Sequence, residues 1–386
     1  MKLVDFFSGA GGLSCGLNMA GFHSVLGSDI NPVYARTFAA NHPHSRVITN
    51  DIRELSEHDI LDQTGLRPGE LDLIAGGPPC QGFSINAPIR SLDDQRNHLF
   101  KEYLRIAEIL QPRAILIENV PGLVSLGKGT VVKAIYARLK EMGYAVDHRI
   151  LFAGHYGVPQ MRFRTIFIAL RDHCQIEFPV PTHNAKAVAN FSGAKELCVQ
   201  APIGLFAQHL SAKTTVWDAI SDLPELELGE AIDVADYALP QQSEYQKILR
   251  KGSKKVYNHA CARLAKVNME RLKFIPQGGS WRDIPYDLLP EGLKRARRSD
   301  HTKRYGRLHP DELCSTILTK CDPHWGSFFH PTQNRALSVR EAARIQSFPD
   351  RYVFTGSLTE QFAQVGNAVP PLMAKAIGET IRRMLS

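Results

Sequence analysis

The chain predicts an α/β protein built on a doubly wound, mostly parallel sheet, with a smaller domain inserted late in the sequence. Three observations carry that expectation. Short apolar runs alternate with amphipathic stretches over the first 170 residues. Glycines and a well-placed proline punctuate the alternation. The pattern then breaks after Leu170 into proline-rich, short mixed segments.

Leu3–Phe7 reads as the first strand, Leu13–Ala20 as a helix closed by Gly21, and Phe22–Ser28 as the second strand. Pro32 suits the first turn of the next helix, because its missing N–H would have no partner there. Strands at Leu71–Ala75 and Ala114–Ile117 flank a helix near Leu99–Leu110. A helix around Val131–Met142, closed by Gly143, leads to strands near Ala145–Phe152 and Thr165–Leu170. Regular helical texture returns at Ser338, with Glu341 completing a capping box, and a last helix runs from Pro370 to Leu385. The expected division is a catalytic and cofactor-binding domain over 1–171, an inserted domain over 172–335, and a returning segment over 336–386.

With 386 residues, 44% hydrophobic and 22% charged, the chain has the composition of a globular protein with a large core. It contains no 18-residue apolar run, so no membrane span is expected. The amino terminus lacks the layout of a signal peptide, which points to the cytoplasm. Seven cysteines include no CxxC pair, so neither a disulfide framework nor a metal site is indicated. Net charge is +7, yet residues 241–310 hold 17 Lys/Arg against 6 Asp/Glu, a local +11 that leaves −4 for the remainder. Positive charge concentrated in this way favours a polyanion partner over an ordinary solvated face.

The densest chemistry lies at Gly76-Gly-Pro-Pro-Cys80-Gln-Gly-Phe-Ser84. Glycines and prolines stop a buried strand and present Cys80 at its carboxyl end, where ligands gather in open α/β sheets. A second buried strand ends in Glu118-Asn119-Val120. A lone cysteine is more often a buried structural one, but a thiol and a carboxylate at neighbouring strand ends suggest covalent catalysis on an electrophilic ring. Before them, Phe7-Ser-Gly9-Ala-Gly11-Gly12 joins the first strand to the first helix, where glycines permit close approach of a ligand. Asp29 follows 18 residues after Gly11, near the spacing of a carboxylate that binds a ribose diol. Asp51-Ile52 is placed to meet an adenine ring. The glycine pattern is not GxGxxG, so adenosine without a second nucleotide fits better.

Together these stretches resemble the DNA cytosine-5 methyltransferases, from residue 5 to about residue 373. The family's elements occur in order: the Phe7–Gly12 loop, Asp29, Asp51, Pro78-Pro79-Cys80-Gln81, Glu118-Asn119-Val120, Gln160-Met-Arg162-Phe-Arg164, Arg335 to Pro349, and Gln364-Val-Gly366-Asn367-Ala-Val369. The resemblance implies a Rossmann-like catalytic domain using S-adenosyl-L-methionine, and a target recognition domain between Arg164 and Arg335. It implies transfer of a methyl group to carbon 5 of a cytosine flipped out of a specific double-stranded DNA sequence.

Cys80 would be the nucleophile at carbon 6. Glu118 would hold ring nitrogen 3 and the amino group, with Arg162 and Arg164 steadying the base. Cofactor contacts would come from Phe7, Gly9, Gly11, Gly12, Asp29, Ile30, Asp51, Ile52, Pro79, Leu99, Asn367 and Val369. DNA contacts would come from Ser84 and Arg96 on a closing loop, from Gln160, and from Lys294, Arg295, Arg297 and Arg298. Plainer readings stay open: Arg162 and Arg164 as solvated residues, Asn119 as a turn former, Asn367 as a helix cap, Leu99 as core. Arg340 and Arg344, on one helical face, are expected to form structural ion pairs.

Two other functions compete with this one. A branch of the family methylates transfer RNA and carries Cys-Phe-Thr in its recognition domain; here the comparable stretch is Cys314-Ser315-Thr316-Ile317, which favours DNA. A catalytically dead DNA-binding regulator is disfavoured by intact Cys80, Glu118, Arg162 and Arg164. The layout resembles a monomeric bacterial modification enzyme that protects DNA from a partner endonuclease. The recognised DNA sequence is not legible in residues 171–335.

Overall fold

The computed structural model describes residues 1–79, 98–125, 129–172, 175–189, 191, 195–202 and 208–386. Two compact units emerge. One comprises Met1–Tyr156, Phe163–Ser211 and Val369–Ser386; the other comprises Gly157–Arg162 and Ala212–Ala368.

The first unit opens β1(Lys2–Phe6), α1(Gly12–Met19), β2(His23–Ser28), α2(Pro32–Asn41), β3(Arg46–Ile48), α3(Glu57–Thr64) and β4(Leu73–Gly76). It continues α4(His98–Leu110), β5(Ala114–Asn119), α5(Gly122–Ser125), α6(Thr130–Glu141) and β6(Ala145–Phe152). After the short β7(Gln160–Met161), which belongs to the second unit, comes β8(Phe163–Leu170). Among the described residues the sheet has seven strands in the order β3-β2-β1-β4-β5-β8-β6. The strands from β3 to β5 are parallel, and β8 runs antiparallel to both neighbours. The chain winds outward from β1 to β3 and returns to β4 beside β1. That reversal creates a switch point at the carboxyl ends of β1 and β4, where such sheets bind ligands.

Alternate residues of the sheet explain its burial. Val4, Phe6, Leu26, Ile74, Ile115, Ile117 and Phe167 join Ile60 of α3, Tyr103 to Leu110 of α4 and Ile135 and Leu139 of α6 in one core. α1 packs tightly on the closing helix α13(Pro371–Leu385). A Cβ at Gly16 would stand 2.2 Å from the Pro371 carbonyl, so glycine is required at that crossing. The helix starts follow the expected chemistry: Asn31 Oδ1 accepts from Val33 N at 2.9 Å ahead of Pro32, and Ser56 and Asp59 close a capping box.

The second unit contains α7(Val216–Ile220), β11(Ala231–Ala235), α8(Glu244–Arg250), β12(Val256–Ala260), α9(Lys266–Leu272) and α10(Glu291–Lys294). The small pair β9(His183–Asn184) and β10(Ser211–Ala212) precedes it. It ends with β13(Gly306–Arg307), β14(Cys314–Ser315), β15(Ser327–Phe329), α11(Val339–Ile345) and α12(Leu358–Asn367). Its centre is ionic. Arg344 is fully buried and pairs with Asp222 and with Asp350, the latter at 2.7 Å. Arg335 pairs with Glu341 at 2.6 Å, and Ser338 and Glu341 close the capping box of α11. Arg340 donates to the carbonyls of Tyr257, Pro349 and Tyr352. Arg344 thus makes the structural ion pairs expected of it.

The limits of these units differ from the three segments drawn on the sequence. The described residues between 175 and 202 belong to the first unit, with a bridge between Ile150 and Cys198 and the Ser211 N–H donated to Thr182 O. Residues 336–368 sit within the second unit, because α11 packs on β12 and α7.

Candidate active site

The turn after β1 uses left-handed backbone at Phe7, Gly9 and Gly11, with φ of 58°, 54° and 88°. This geometry turns the Gly9 N–H onto Asp29 Oδ2 at 2.9 Å, while Asp29 Oδ1 accepts the Asn31 N–H at 2.9 Å. Burial raises the Asp29 pKa, opposed by those two N–H donors. Asp51, in the turn after β3, is held by a bidentate Arg53 guanidinium, with Nη2–Oδ2 at 2.5 Å. That hydrogen bonding lowers its pKa.

These residues surround an open cavity of about 340 Å³, lined by Phe6, Phe7, Ser28, Asp29, Ile30, Asn50, Asp51, Ile52, Arg53, Pro79 and Leu99. Its size suits a small organic ligand. Apolar walls from Phe7, Ile30, Ile52, Pro79 and Leu99 flank two carboxylates, the pattern that fits a flat heterocycle carrying a diol. Ile30 is 66% exposed, an apolar surface that a ring lying in the slot would cover. Seven of the twelve expected cofactor residues therefore line one slot, and Gly9, Gly11 and Gly12 build its turn. Asn367 instead ends α12, and Val369 is buried in the last segment of the first unit.

Sequence reasoning missed Asn50 and Arg53, which lie beside Asp51 in sequence. It also missed Arg105 on α4, which donates to Ile52 O at 3.1 Å and Leu55 O at 2.9 Å and so ties the 51–55 turn to the helix carrying Leu99. Glu102 holds that guanidinium at 2.6 Å. The i,i+3 Glu–Arg pair was visible in the sequence, but its tertiary acceptors were not.

Glu118 stands at the carboxyl end of β5, and Arg164 Nε lies 2.5 Å from Glu118 Oε1 with both side chains 13% exposed. The pair is nearly dry and so strongly coupled. Gly77 makes room for it: a Cβ there would sit 2.9 Å from Glu118 Oε2. Gly76 is constrained from the other side, by the Phe6 carbonyl at 2.6 Å and the Tyr103 ring at 2.7 Å. Asn119 Nδ2 donates to Pro78 O at 3.0 Å. The chain leaving β4 is thus pinned at Pro78 beside Glu118, and its next residue, Pro79, is a wall of the slot. Cys80, Ser84 and Arg96 lie outside the described residues.

Gln160 and Arg162 occupy a different setting. Arg162 is 1% exposed, and its guanidinium donates to the carbonyls of Ile317, Gly366 and Ala368 at 2.9–3.3 Å. Gln160, also buried, accepts the Ile317 N–H at 3.0 Å and donates to Gln346. Both tie the second unit internally. A Cβ at Gly366 would press within 2.4 Å of Leu318, which accounts for that glycine by packing. In the basic segment, Lys294 is ion-paired with Glu291 at 2.6 Å, and Arg298 donates to Arg282 O at 3.0 Å. Arg295 and Arg297 are exposed. Among the described residues no group of three metal-ligating side chains converges, and no helix is long and apolar enough to cross a membrane.

A seven-stranded, mostly parallel sheet with an open slot at its switch point is the Rossmann-like fold of S-adenosylmethionine-dependent methyltransferases. The sequence profile described as C-5 cytosine-specific DNA methylase matches residues 1–383. The chain belongs to that family and is a DNA (cytosine-5)-methyltransferase. It is similar to the Type II methyltransferase M1.HphI of Haemophilus parahaemolyticus, with 35% identity over 100% of this chain and 87% of the relative. It is 34% identical to the Type II methyltransferase M.AgeI of Thalassovita gelatinovora, over the full length of both. A crystal structure of a putative DNA modification methyltransferase encoded within an Escherichia coli prophage matches with TM-score 0.74 and 25% identity, over 100% of this chain and 99% of that one.

Proposed function

We propose that the slot binds S-adenosyl-L-methionine and that Cys80 and Glu118 carry methyl transfer to a cytosine extruded from double-stranded DNA. One observation carries this reading: Pro79 lines the slot while Pro78 is tied to Asn119 next to Glu118, so the segment entering Cys80 runs between cofactor slot and carboxylate. The cofactor supplies an electrophilic methyl on a sulfonium. Asp29 would accept from the ribose hydroxyls, and Asp51, kept anionic by Arg53, from the adenine amino group. The aromatic and aliphatic walls would exclude water from the ring.

Cytosine carbon 5 is a poor nucleophile until carbon 6 is attacked. The Cys80 thiolate would form a bond to carbon 6, and Glu118 at nitrogen 3 would offset the charge that develops in the ring. Carbon 5 then takes the methyl as its bond to sulfur breaks. A base removes the carbon-5 proton, and the thiolate leaves to restore the aromatic ring. Arg164, on Glu118, would orient that carboxylate and balance its charge. Arg162, whose Nη donors serve carbonyls of the second unit, would act on the base only through its placement there.

The second unit would recognise the target, through its concentrated positive charge. The enzyme would work as a monomer in the bacterial cytoplasm, protecting DNA from a separate endonuclease; the Type II names of its relatives support that role. Duplex containing 5-fluorocytosine at the target tests the chemistry. Wild-type protein with cofactor should be trapped covalently, since fluorine does not leave as a proton, and Cys80→Ala should not. An adduct formed by Cys80→Ala would refute the assignment. Bisulfite sequencing of DNA from expressing cells locates the product.

A further inference from the structure

Most cations of the second unit already have partners. Arg250 and Arg344 meet Asp222, Arg335 meets Glu341, Lys273 meets Glu270, Lys294 meets Glu291, and buried Arg307 donates to the carbonyls of Leu272, Ile275 and His330. Arg304 differs. Its guanidinium lies 5.1 Å from the centroid of the Trp325 ring, and among the described residues its N–H groups meet no acceptor.

Trp325 is the most exposed of the chain's three tryptophans, at 52% against 39% for Trp217 and 3% for Trp281. An exposed indole offers a flat apolar face and one N–H donor, a combination enriched at interfaces.

The platform under the pair is stiff. Trp281 donates its backbone N–H to Arg304 O at 3.0 Å and its indole N–H to His301 O at 3.1 Å. Tyr305, in the core with Trp281, Leu293 and Phe329, hydrogen-bonds His324 at 2.8 Å. His324 in turn packs edge-on against Trp325, with centroids 5.0 Å apart. His301 and Tyr305 both hold positive φ, 49° and 50°, a strained backbone of the kind retained where a side chain must be aimed. Between 294 and 304 the chain has six Lys/Arg and one Asp, so the platform stands in positive potential. A surface that attracts a polyanion, presents an unpaired guanidinium and restrains it over an aromatic ring suits base reading better than phosphate neutralisation. A phosphate needs only a mobile charge, whereas a guanine edge requires two donors in fixed geometry.

We propose that Arg304, restrained by Trp325, reads a guanine in the DNA sequence this enzyme methylates. The inference rests on the second unit being the part that recognises DNA.

The test uses the full-length enzyme and its Arg304→Gln, Trp325→Ala and Trp325→Phe variants. Their methylation patterns are read by genome-wide bisulfite sequencing and by competition between duplexes differing at single positions. Arg304→Gln should relax discrimination at one guanine by roughly 5- to 150-fold while other positions keep theirs. Trp325→Ala should relax the same position, and Trp325→Phe should largely restore it. Thermal unfolding identifies any variant that fails to fold, and Trp325→Phe keeps the comparison open in that case.

An unchanged pattern of preferences in Arg304→Gln overturns the proposal. So does a uniform loss of affinity with the salt slope reduced by about 0.9, the signature of a phosphate contact. Charge reversal at Arg295 and Arg297 separates the two levels. If it weakens DNA binding while Arg304→Gln keeps wild-type preferences, only the role of Arg304 falls. If neither change affects DNA binding, the second unit is not the recognition surface.

Discussion

Removing the Asp29 carboxylate tests the cofactor slot directly. Each of its oxygens already accepts one backbone N–H, from Gly9 and from Asn31, at 2.9 Å. A carboxylate oxygen has a second lone pair, and Asp29 lines the slot, so two acceptor positions remain for a diol. Hydrogen bonds to a charged partner contribute about 1.5–3 kcal/mol, which predicts that Asp29→Ala weakens S-adenosylhomocysteine binding by roughly 10- to 150-fold. The substitution also frees the Gly9 N–H, so weaker binding alone would not separate ribose recognition from loop anchoring. An analogue lacking both ribose hydroxyls does separate them. By isothermal titration calorimetry the wild type should prefer the natural ligand over that analogue, and Asp29→Ala should prefer it far less. If the variant discriminates by the wild-type factor, Asp29 only anchors the turn and the reasoning fails.

Gly77→Ala should displace the Glu118 carboxylate, which stands 2.9 Å from the added carbon; kcat should fall about 10-fold or more while the Kd for cofactor holds, and an unaltered kcat would remove Gly77 from the site. Reversing Arg295 and Arg297 to glutamate should weaken DNA binding and flatten its salt dependence by about 0.9 for each phosphate no longer neutralised, as measured by fluorescence anisotropy across salt. Asp5, whose Oδ2 accepts from Ser14 at 2.6 Å and whose Oδ1 has no donor, is pushed by burial up to about 7. A raised carboxyl pKa favours the folded state below the unfolded value and loses that contribution as pH rises to about 7. Relative to wild type, Asp5→Asn should therefore gain stability between about pH 4 and pH 7, by no more than about 1.4 kcal/mol per pH unit; a pH-independent difference in urea denaturation would contradict this.

The sheet was legible because its strands are short, apolar and closed by glycine or proline, signals that act locally. β3 reads in the sequence only as a strand-like segment closed by Asp51-Ile52, without bounds, and α3 is not assigned from it. β3 has only three residues, none fully buried, and α3 announces itself mainly by the Ser56–Asp59 capping box. The slot was legible for a related reason. Its residues follow strand ends, so Asp29, Ile30, Asp51, Ile52 and Pro79 fall at predictable places once β1 to β4 are ordered. Leu99 needed the packing of α4 to decide between wall and core. Roles that depend on distant carbonyls, such as those of Arg105 and Arg162, leave no local trace.

Arg162 and Arg164 show why spacing misleads at this point in the chain. They are two residues apart, which on one continuous strand would place them on the same face and suggest a shared role. The chain changes allegiance between them. Arg162 closes the segment Gly157–Arg162 of the second unit, with β7 paired to β14, whereas Arg164 lies inside β8, in register with Leu151 of β6, and its side chain reaches Glu118 of β5. Phe163, buried between them, begins β8 in register with Phe152. The Arg162 guanidinium is buried on three carbonyls, and replacing it would leave those acceptors unpaired in a dry interior. The Arg164 guanidinium lies instead 2.5 Å from a carboxylate, Glu118. The three carbonyl bonds of Arg162 thus lie within the second unit, while Arg164 is tied to Glu118 in the first.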